Sequence, residues 1–349
     1  MDKKKSAYDL VVIGAGPGGS IAASTAAEKG LKVLLAEKRQ EIGAPVRCGE
    51  MVSKDALSKF IRIDRKWVSA EVKWAKIYLP SGKEIVQKGD DDGHGLVLDR
   101  KLFDRHLVRL AAAKGVEVSV KTLATGLKRE PGGLVSINLK RGGEQDNVKS
   151  KIVIGADGIE SRVGKWVGID TTLELDEIGS GIQYLVTDVN FDPEGSYFWY
   201  GKEIAPGGYA WLFPKGDKEA NVGVGVIPKY AKKSSREYLD DFIRNKFGKV
   251  KIIELVAGGI PMKGPIETAV ADNVMLVGDA ARHTDPFTGS GIIHAMKGGF
   301  YSGKVASKAI ERGDFSKEFL KKYDECWKND FGELLQKNRA NLEKIINLV

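Results

Sequence analysis

The stretch Tyr8–Glu37, YDLVVIGAGPGGSIAASTAAEKGLKVLLAE, constrains the fold more than any other part of the chain. Leu10–Ile13 is a short continuous apolar run, as expected of a parallel strand buried on both faces. Gly14, Gly16 and Gly19 then spell G-x-G-x-x-G. In that pattern the first glycine makes a tight turn, the second lets backbone approach a pyrophosphate, and the third packs helix on strand. The Ala-rich run from Ile21 to Glu28 predicts a helix whose free N–H groups and positive dipole end face phosphate. Leu31–Ala36 predicts a second strand, and Glu37 at its end is placed to accept ribose hydroxyls. Its charge would repel a 2′-phosphate, so the site suits FAD or NAD rather than NADP. The fingerprint alone does not choose between them.

Other signals narrow the class. The 349 residues are enough for two lobes. The net charge of +8 fits an anionic lipid, a nucleic acid, an acidic protein partner or plain solubility. Lys3, Lys4 and Lys5 read as a solvated basic end. Cys48 and Cys326 are far apart and neither joins a disulfide framework nor a metal-ligand spacing, which favours a reducing, cytoplasmic setting and no metal. The N-terminal basic-then-apolar order is not a signal peptide, because Asp9 interrupts it and the nucleotide fingerprint accounts for the apolar run. No run reaches the roughly 20 apolar residues that span a bilayer, so membrane contact would be peripheral.

Along the chain, KRQEIGAPVRCGEMVS reads as an irregular loop entering a helix at Ser53. Within it Cys48 is either an inert thiol or a functional one whose pKa Arg47 lowers. Residues 72–86 alternate as strands about a Pro-Ser-Gly turn, and 90–95 reads as a loop. Leu96–Leu98 is a strand, Asp99 a helix N-cap, and Leu102, Phe103, Leu107 and Leu110 a helical stripe. Arg100 at that helix start suits either a surface ion pair or a cofactor contact. Leu134–Leu139 and Val148–Ile154 read as a hairpin running into Gly155-Ala156-Asp157-Gly158. Residues 167–257 concentrate aromatics in alternating patterns that predict an antiparallel sheet, with Tyr209, Trp211 and Phe213 sharing one face able to line an apolar cavity. From 273 a buried strand ends at Gly278-Asp279, and Gly289-Ser290-Gly291 leads into a helix near Ile292. An Asp there can hold ribityl hydroxyls, and a Gly-rich helix start can stabilise an anionic reduced flavin. The remaining residues are helical, with Trp327 and Phe331 as anchors.

The fingerprint, the GADG segment and the GDAA…TGSGI segment, in that order, resemble the FAD-dependent hydroxylase-like superfamily. Within it the chain most resembles the geranylgeranyl reductase family, on PVRCGE at 45–50 and PGGYAWLFP at 206–214. The resemblance runs from about residue 6 to 310. It implies an α/β fold: a Rossmann-like FAD domain from 1–71, 96–166 and 258–310, an antiparallel-sheet substrate (cap) domain from 72–95 and 167–257, and a short C-terminal helical segment, 311–349. It implies FAD contacts at Gly19, Glu37, Cys48, Gly49, Arg100, Ala124, Asp279, Gly291 and Ile292, beside those the motifs give at Gly14, Gly16 and Gly289. It implies an isoprenoid wall of Tyr209, Trp211 and Phe213.

The implied function is FAD-dependent saturation of C=C bonds in geranylgeranyl (polyprenyl) chains, in membrane-lipid biosynthesis. An unactivated alkene accepts hydride poorly, so positive charge must build as a proton arrives in a dry aromatic pocket. Cys48, Glu50 or ordered water are the candidate proton sources. NAD(P)H, ferredoxin and other reduced carriers all remain open as electron donor. The expected partners are the polyprenyl lipid and an anionic membrane surface at the inner face, without nucleic acid. Two other functions fit the same scaffold: an aromatic-ring monooxygenase, and a non-catalytic prenyl-binding protein. The complete Asp279 and Gly289–Gly291 flavin edge argues against the second.

Overall fold

The computed structural model describes residues 7–89 and 95–348; the Lys3–Lys5 run and most of the expected 90–95 loop lie outside the described residues. The chain divides into two units. The first comprises Met1–Ala44, Asp104–Thr172 and Gly264–Arg339, and the second Pro45–Phe103, Leu173–Lys263 and Ala340–Val349.

In the first unit the strand Ala7–Ile13 runs parallel to Glu144–Gly155 on one side and to Val33–Ala36 on the other. The parallel sheet extends to Glu117–Ser119 and Val274–Leu276. Leu10, Val11, Val12, Leu34 and Leu35 are all fully buried, which is why these strands read as unbroken apolar runs. The expected hairpin is present as Val135–Arg141 against Glu144–Gly155, turning at Gly142-Gly143. Two helices cover the sheet together, Pro17–Ala27 and Ile292–Arg312. They pack backbone on backbone: a Cβ at Gly299 would lie 2.2 Å from the Gly18 carbonyl, and one at Gly303 would lie 2.8 Å from the Ala22 carbonyl. Residue numbers rise together along the contact, so the two helices are parallel. Trp327 and Phe331 are buried against this core as expected.

The second unit is built on a seven-stranded sheet in the order 251–261, 178–187, 219–226, 209–214, 195–200, 74–78, 84–88. The helix Ser235–Lys246, begun by a Ser234/Glu237 capping box, buries Tyr238, Leu239, Phe242 and Ile243. These pack with Tyr184, Val222 and Val224. The opposite face carries Trp211 and Phe213, which pack on Val72 and Val97 of a three-stranded sheet (51–52, 95–98, 68–72).

The structure departs from the expectations in three respects. The sheet is not wholly antiparallel, because Gly195–Tyr200 pairs parallel with Trp74–Tyr78. In the helix Arg100–Ala113, Leu102 and Leu110 are exposed, and the buried stripe is Phe103, Leu107, Val108 and Ala111. The division also falls elsewhere: 45–71, 96–103, 258–263 and 340–349 join the second unit, and 167–172 and 311–339 join the first. Strand pairing explains the first of these shifts, since Met51–Val52 and Val68–Val72 both hydrogen-bond to Gly95–Leu98.

Candidate functional site

In the first unit the fingerprint forms the turn its spacing requires. Gly14 has φ +106°, and a Cβ there would lie 2.2 Å from the Ala156 carbonyl oxygen. A side chain at Gly19 would lie 1.9 Å from the Gly14 carbonyl, so helix and turn touch, whereas nothing stands within 4 Å of the corresponding point on Gly16. The helix Pro17–Ala27 has no side-chain cap and no acid in its first turn. The helix Ile292–Arg312 begins at Gly291, again without a side-chain cap. A Cβ on Gly18 would lie 3.0 Å from the Ala295 carbonyl oxygen, so the first turns of the two parallel helices are neighbours. Two aligned dipoles in contact repel, and an anion at their shared N-terminal end relieves that cost.

The polar groups around this end fit a flavin dinucleotide. Glu37 accepts N–H bonds from Ala15 at 3.0 Å on one oxygen and from Arg39 at 3.0 Å on the other. A carboxylate has about four acceptor positions, so room for hydroxyl donors remains. Asp157 accepts from the Val163 N–H at 3.0 Å, while its second oxygen is buried with no partner among the described residues. Burial raises the Asp157 carboxyl above its ordinary range. Asp279 accepts the Thr284 hydroxyl at 2.6 Å, and both side chains lie against Gly291, where a Cβ would stand 2.8 Å from the Thr284 hydroxyl and 3.5 Å from the Asp279 carboxylate. Gly289 sits in the left-handed region at φ +72°, folding the chain back before Ile292. Ala124 is buried in the strand Thr122–Arg129. Gly14, Gly16, Gly19, Glu37, Ala124, Asp279, Gly289, Gly291 and Ile292 thus all belong to this unit, while Cys48, Gly49 and Arg100 belong to the other.

In the second unit Cys48 occupies a loop that the sheet pins at several points. Gln183 donates its amide to the Cys48 carbonyl at 3.0 Å, and the Trp211 indole N–H donates to the Gln183 side-chain oxygen at 3.2 Å. The Glu50 N–H donates to the Cys48 sulfur at 3.2 Å. Glu50 itself has φ +73°, a conformation that costs a non-glycine residue about 1–2 kcal/mol. Its buried carboxylate holds the strained turn. One oxygen accepts the Arg100 N–H at 2.8 Å; the other accepts Lys215 at 2.8 Å and Asn221 at 2.7 Å. Lys215 also donates to the Leu98 carbonyl at 2.6 Å. With three donors on its two oxygens, the Glu50 carboxylate is built into the turn as an anchor.

Burial pushes the Cys48 thiol up from its ordinary value, partly opposed by the nearby Arg100 guanidinium. This corrects the expectation that Arg47 lowers the thiol: the cation acting on it is Arg100, Arg47 is exposed, and burial carries the net shift upward. The aromatic expectation concerned a shared face, and the rings do share one. Trp211 stacks on Phe213 at 6.1 Å between centroids, and Tyr209 meets Trp211 edge-on at 5.9 Å. Phe213 lies over Gly49, 3.0 Å from where a Cβ would be. Gly223 and Gly225 make this possible: a Cβ at Gly223 would stand 2.3 Å from the Trp211 ring, so the indole lies flat across the neighbouring strand and reaches Gln183.

Gln183, Lys215 and Asn221 were missed by sequence reasoning. Their signal was polarity on a buried parity: Asn221 is opposite Phe213, and Gly223, the neighbour of Gln183, is opposite Trp211. Among the described residues no group of three metal-ligating side chains occurs.

The family model for the geranylgeranyl reductase catalytic domain matches residues 177–260, and that for FAD-dependent oxidoreductases matches residues 9–179. The chain is 48% identical over 347 residues to digeranylgeranylglycerophospholipid reductase 1 of Methanococcoides burtonii, covering 99% of this chain and 85% of that one. It is also 48% identical to the digeranylgeranylglycerophospholipid reductase of Methanocella arvoryzae, over 96% of this chain and 86% of the other. A solved geranylgeranyl bacteriochlorophyll reductase-like protein from Thermoplasma acidophilum superposes with a TM-score of 0.94 at 41% identity, covering 98% and 88% of the two chains. A flavin-dependent brominase superposes with a TM-score of 0.76 at 21% identity, over 91% of this chain and 83% of that one, and so shares the fold alone.

Proposed function

The chain belongs to the geranylgeranyl reductase family of FAD-dependent oxidoreductases, and from that premise we infer that it saturates C=C bonds in the geranylgeranyl chains of a glycerophospholipid. The chain is an FAD-dependent oxidoreductase. When bound, reduced FAD supplies the hydride. Gly14, Gly16 and Gly19 would hold the pyrophosphate, Glu37 the adenosine ribose, and Asp279 with the Gly289–Ile292 helix start the flavin side of the cofactor. The electrons would come from NAD(P)H, ferredoxin or another reduced carrier.

The observation that carries the chemistry is the half-buried Cys48, its thiol pushed up from its ordinary value by desolvation, on a loop tied to the aromatic face by Gln183 and Trp211. An isolated alkene needs an acid as hydride arrives, and a thiol held protonated is an acid in its donor form. Trp211 and Phe213 offer ring faces to the positive charge that develops and exclude the water that would quench it. Arg100, beside the sulfur, stabilises the thiolate left after transfer. Aromatic hydroxylation is the weaker reading, because the likeness to p-nitrophenol 4-monooxygenase is 16% identical and carries only the fold. A non-catalytic prenyl-binding role is weaker still, since Glu37, Asp157 and Asp279 surround a dinucleotide end that such a role leaves without purpose. Among the described residues no helix is long and apolar enough to cross a membrane, and contact with an anionic membrane surface would be peripheral.

The test is anaerobic. The enzyme is reduced, mixed with digeranylgeranylglycerophospholipid, and followed by stopped-flow absorbance for flavin reoxidation. Cys48→Ser should slow that step about 10²-fold or more while leaving flavin reduction intact. Reoxidation of the variant at the wild-type rate would remove Cys48 from the reaction, and a wild type that does not reoxidise would remove the substrate.

A further inference from the structure

The edge of the large sheet in the second unit carries an apolar cluster that the described residues leave exposed. Among the described residues, strand Lys251–Pro261 pairs on one side only, with Ile178–Thr187. On it Ile252 is 54% exposed, Ile253 61% and Leu255 47%. Three large aliphatic side chains this open on one short stretch mark an interaction surface rather than scattered exposure.

The surroundings are cationic. Here Lys101, Arg244, Lys246, Lys249 and Lys251 gather with three acids, Asp188, Asp241 and Glu254, which leaves cations in excess. Arg244, Lys246, Lys249 and Lys251 are exposed. Lys251 pairs with Asp188 at 2.7 Å, Glu254 with Lys101 at 3.0 Å, and Arg244 with Asp241. Lys246 lies over the Tyr78 and Trp199 rings at 5.0 and 5.7 Å.

A second copy of the chain is a poor occupant. The ladder slips between Leu185 and Val186, which face Glu254 and Ile252, so Ile253 is a bulged residue with no partner of its own. Bulges and lysines are the devices by which edges resist further strand pairing. Two such edges brought together would also oppose two clusters of like charge. An anionic surface that accepts side chains without needing the backbone ladder has neither defect.

We propose that the 249–255 edge is a membrane-docking element, with Ile252, Ile253 and Leu255 entering the interface of an anionic lipid bilayer and Lys249 and its neighbouring cations meeting the headgroups. This rests on the lipid substrate inferred above and adds the place where the enzyme meets the bilayer. Binding of this kind scales with buried apolar area and with attraction to anionic lipid.

The experiment is flotation of the FAD-loaded protein with vesicles of phosphatidylcholine mixed with phosphatidylglycerol, against phosphatidylcholine alone, at rising salt. Sedimentation reports the oligomeric state, and turnover is read on a water-soluble prenyl diphosphate. Wild type should float with the acidic vesicles and release as salt rises. The triple variant Ile252→Ser, Ile253→Ser, Leu255→Ser should lose partition by about tenfold or more. Lys249→Glu should lose roughly 30-fold, the equivalent of about 2 kcal/mol for two charge units. Melting temperature and turnover of the soluble substrate should stay at wild-type values in both, since the changes are on the surface. Partition onto acidic vesicles equal to wild type in the triple variant overturns the proposal. So does a wild-type dimer that the triple variant dissociates. Flotation needs no turnover, so an error in the substrate reading would appear in the turnover arm alone.

Discussion

Replacing Lys215 by Met tests whether the Cys48 loop is held by a buried charge. The Lys215 and Glu50 side chains are 10% and 6% exposed, and their ion pair spans 2.8 Å. Methionine fills similar volume but leaves the carboxylate with only Arg100 N–H and Asn221 as donors, and leaves the Leu98 carbonyl without its lysine. Breaking such a pair from one side costs about 3–5 kcal/mol, and the two surviving donors favour the lower end. At about 3 kcal/mol the second unit should melt roughly 6–12 °C lower. Scanning calorimetry measures that loss. Adding Glu50→Gln removes the uncompensated charge and should recover at least half of it, whereas Glu50→Gln in the wild-type background should destabilise by stranding Lys215 instead. In a Cys326→Ser background, Lys215→Met should also speed alkylation of Cys48 by iodoacetamide, because the turn at Glu50 relaxes. A loss below about 1 kcal/mol, the range of an exposed pair, would refute the reasoning. A double variant no more stable than Lys215→Met would refute it equally.

Glu37→Arg should weaken FAD by roughly tenfold or more through lost charged hydrogen bonds, and unchanged affinity by fluorescence titration would count against the ribose assignment. Gly223→Val should act like Trp211→Ala, because its side chain would occupy the space of the Trp211 ring; both should slow lipid reduction while retaining FAD, and a wild-type rate in either would place the substrate elsewhere. His283 is buried among Trp327, Phe331 and Tyr323, neither ring nitrogen is bonded among the described residues, and burial holds its pKa down at about 3. Its depressed value means that native stability is full above the unfolded pKa of about 6.5 and is lost as pH falls from there toward 3. Denaturant unfolding at neutral and mildly acidic pH should therefore show a smaller acid loss in His283→Leu, and parallel losses would exclude His283 as the source.

The dinucleotide half was legible because its determinants are local. Gly14, Gly16, Gly19 and Glu37 act within one βα turn and the next strand, so spacing alone predicts their geometry. The shared face of Tyr209, Trp211 and Phe213 followed from strand periodicity for the same reason. The Cys48 loop carried a family resemblance, but not the groups that hold it. Glu50 meets Arg100, Lys215 and Asn221 across 50, 165 and 171 residues, and no local pattern tells which lysine will be buried beside which carboxylate. The sign of the Cys48 shift was equally out of reach. Arg47 is adjacent in sequence but exposed, while burial and Arg100, brought in by the strand Gly95–Leu98, set the thiol. The pairing of the helices Pro17–Ala27 and Ile292–Arg312 had a faint trace in Gly18, Gly299 and Gly303, but small residues do not name their partner. Sequence by itself determined the elements and the faces they present, because backbone preference and periodicity act over a few residues. Tertiary structure alone decided which faces and charges meet, because desolvation depends on everything packed around a group, however distant in the chain.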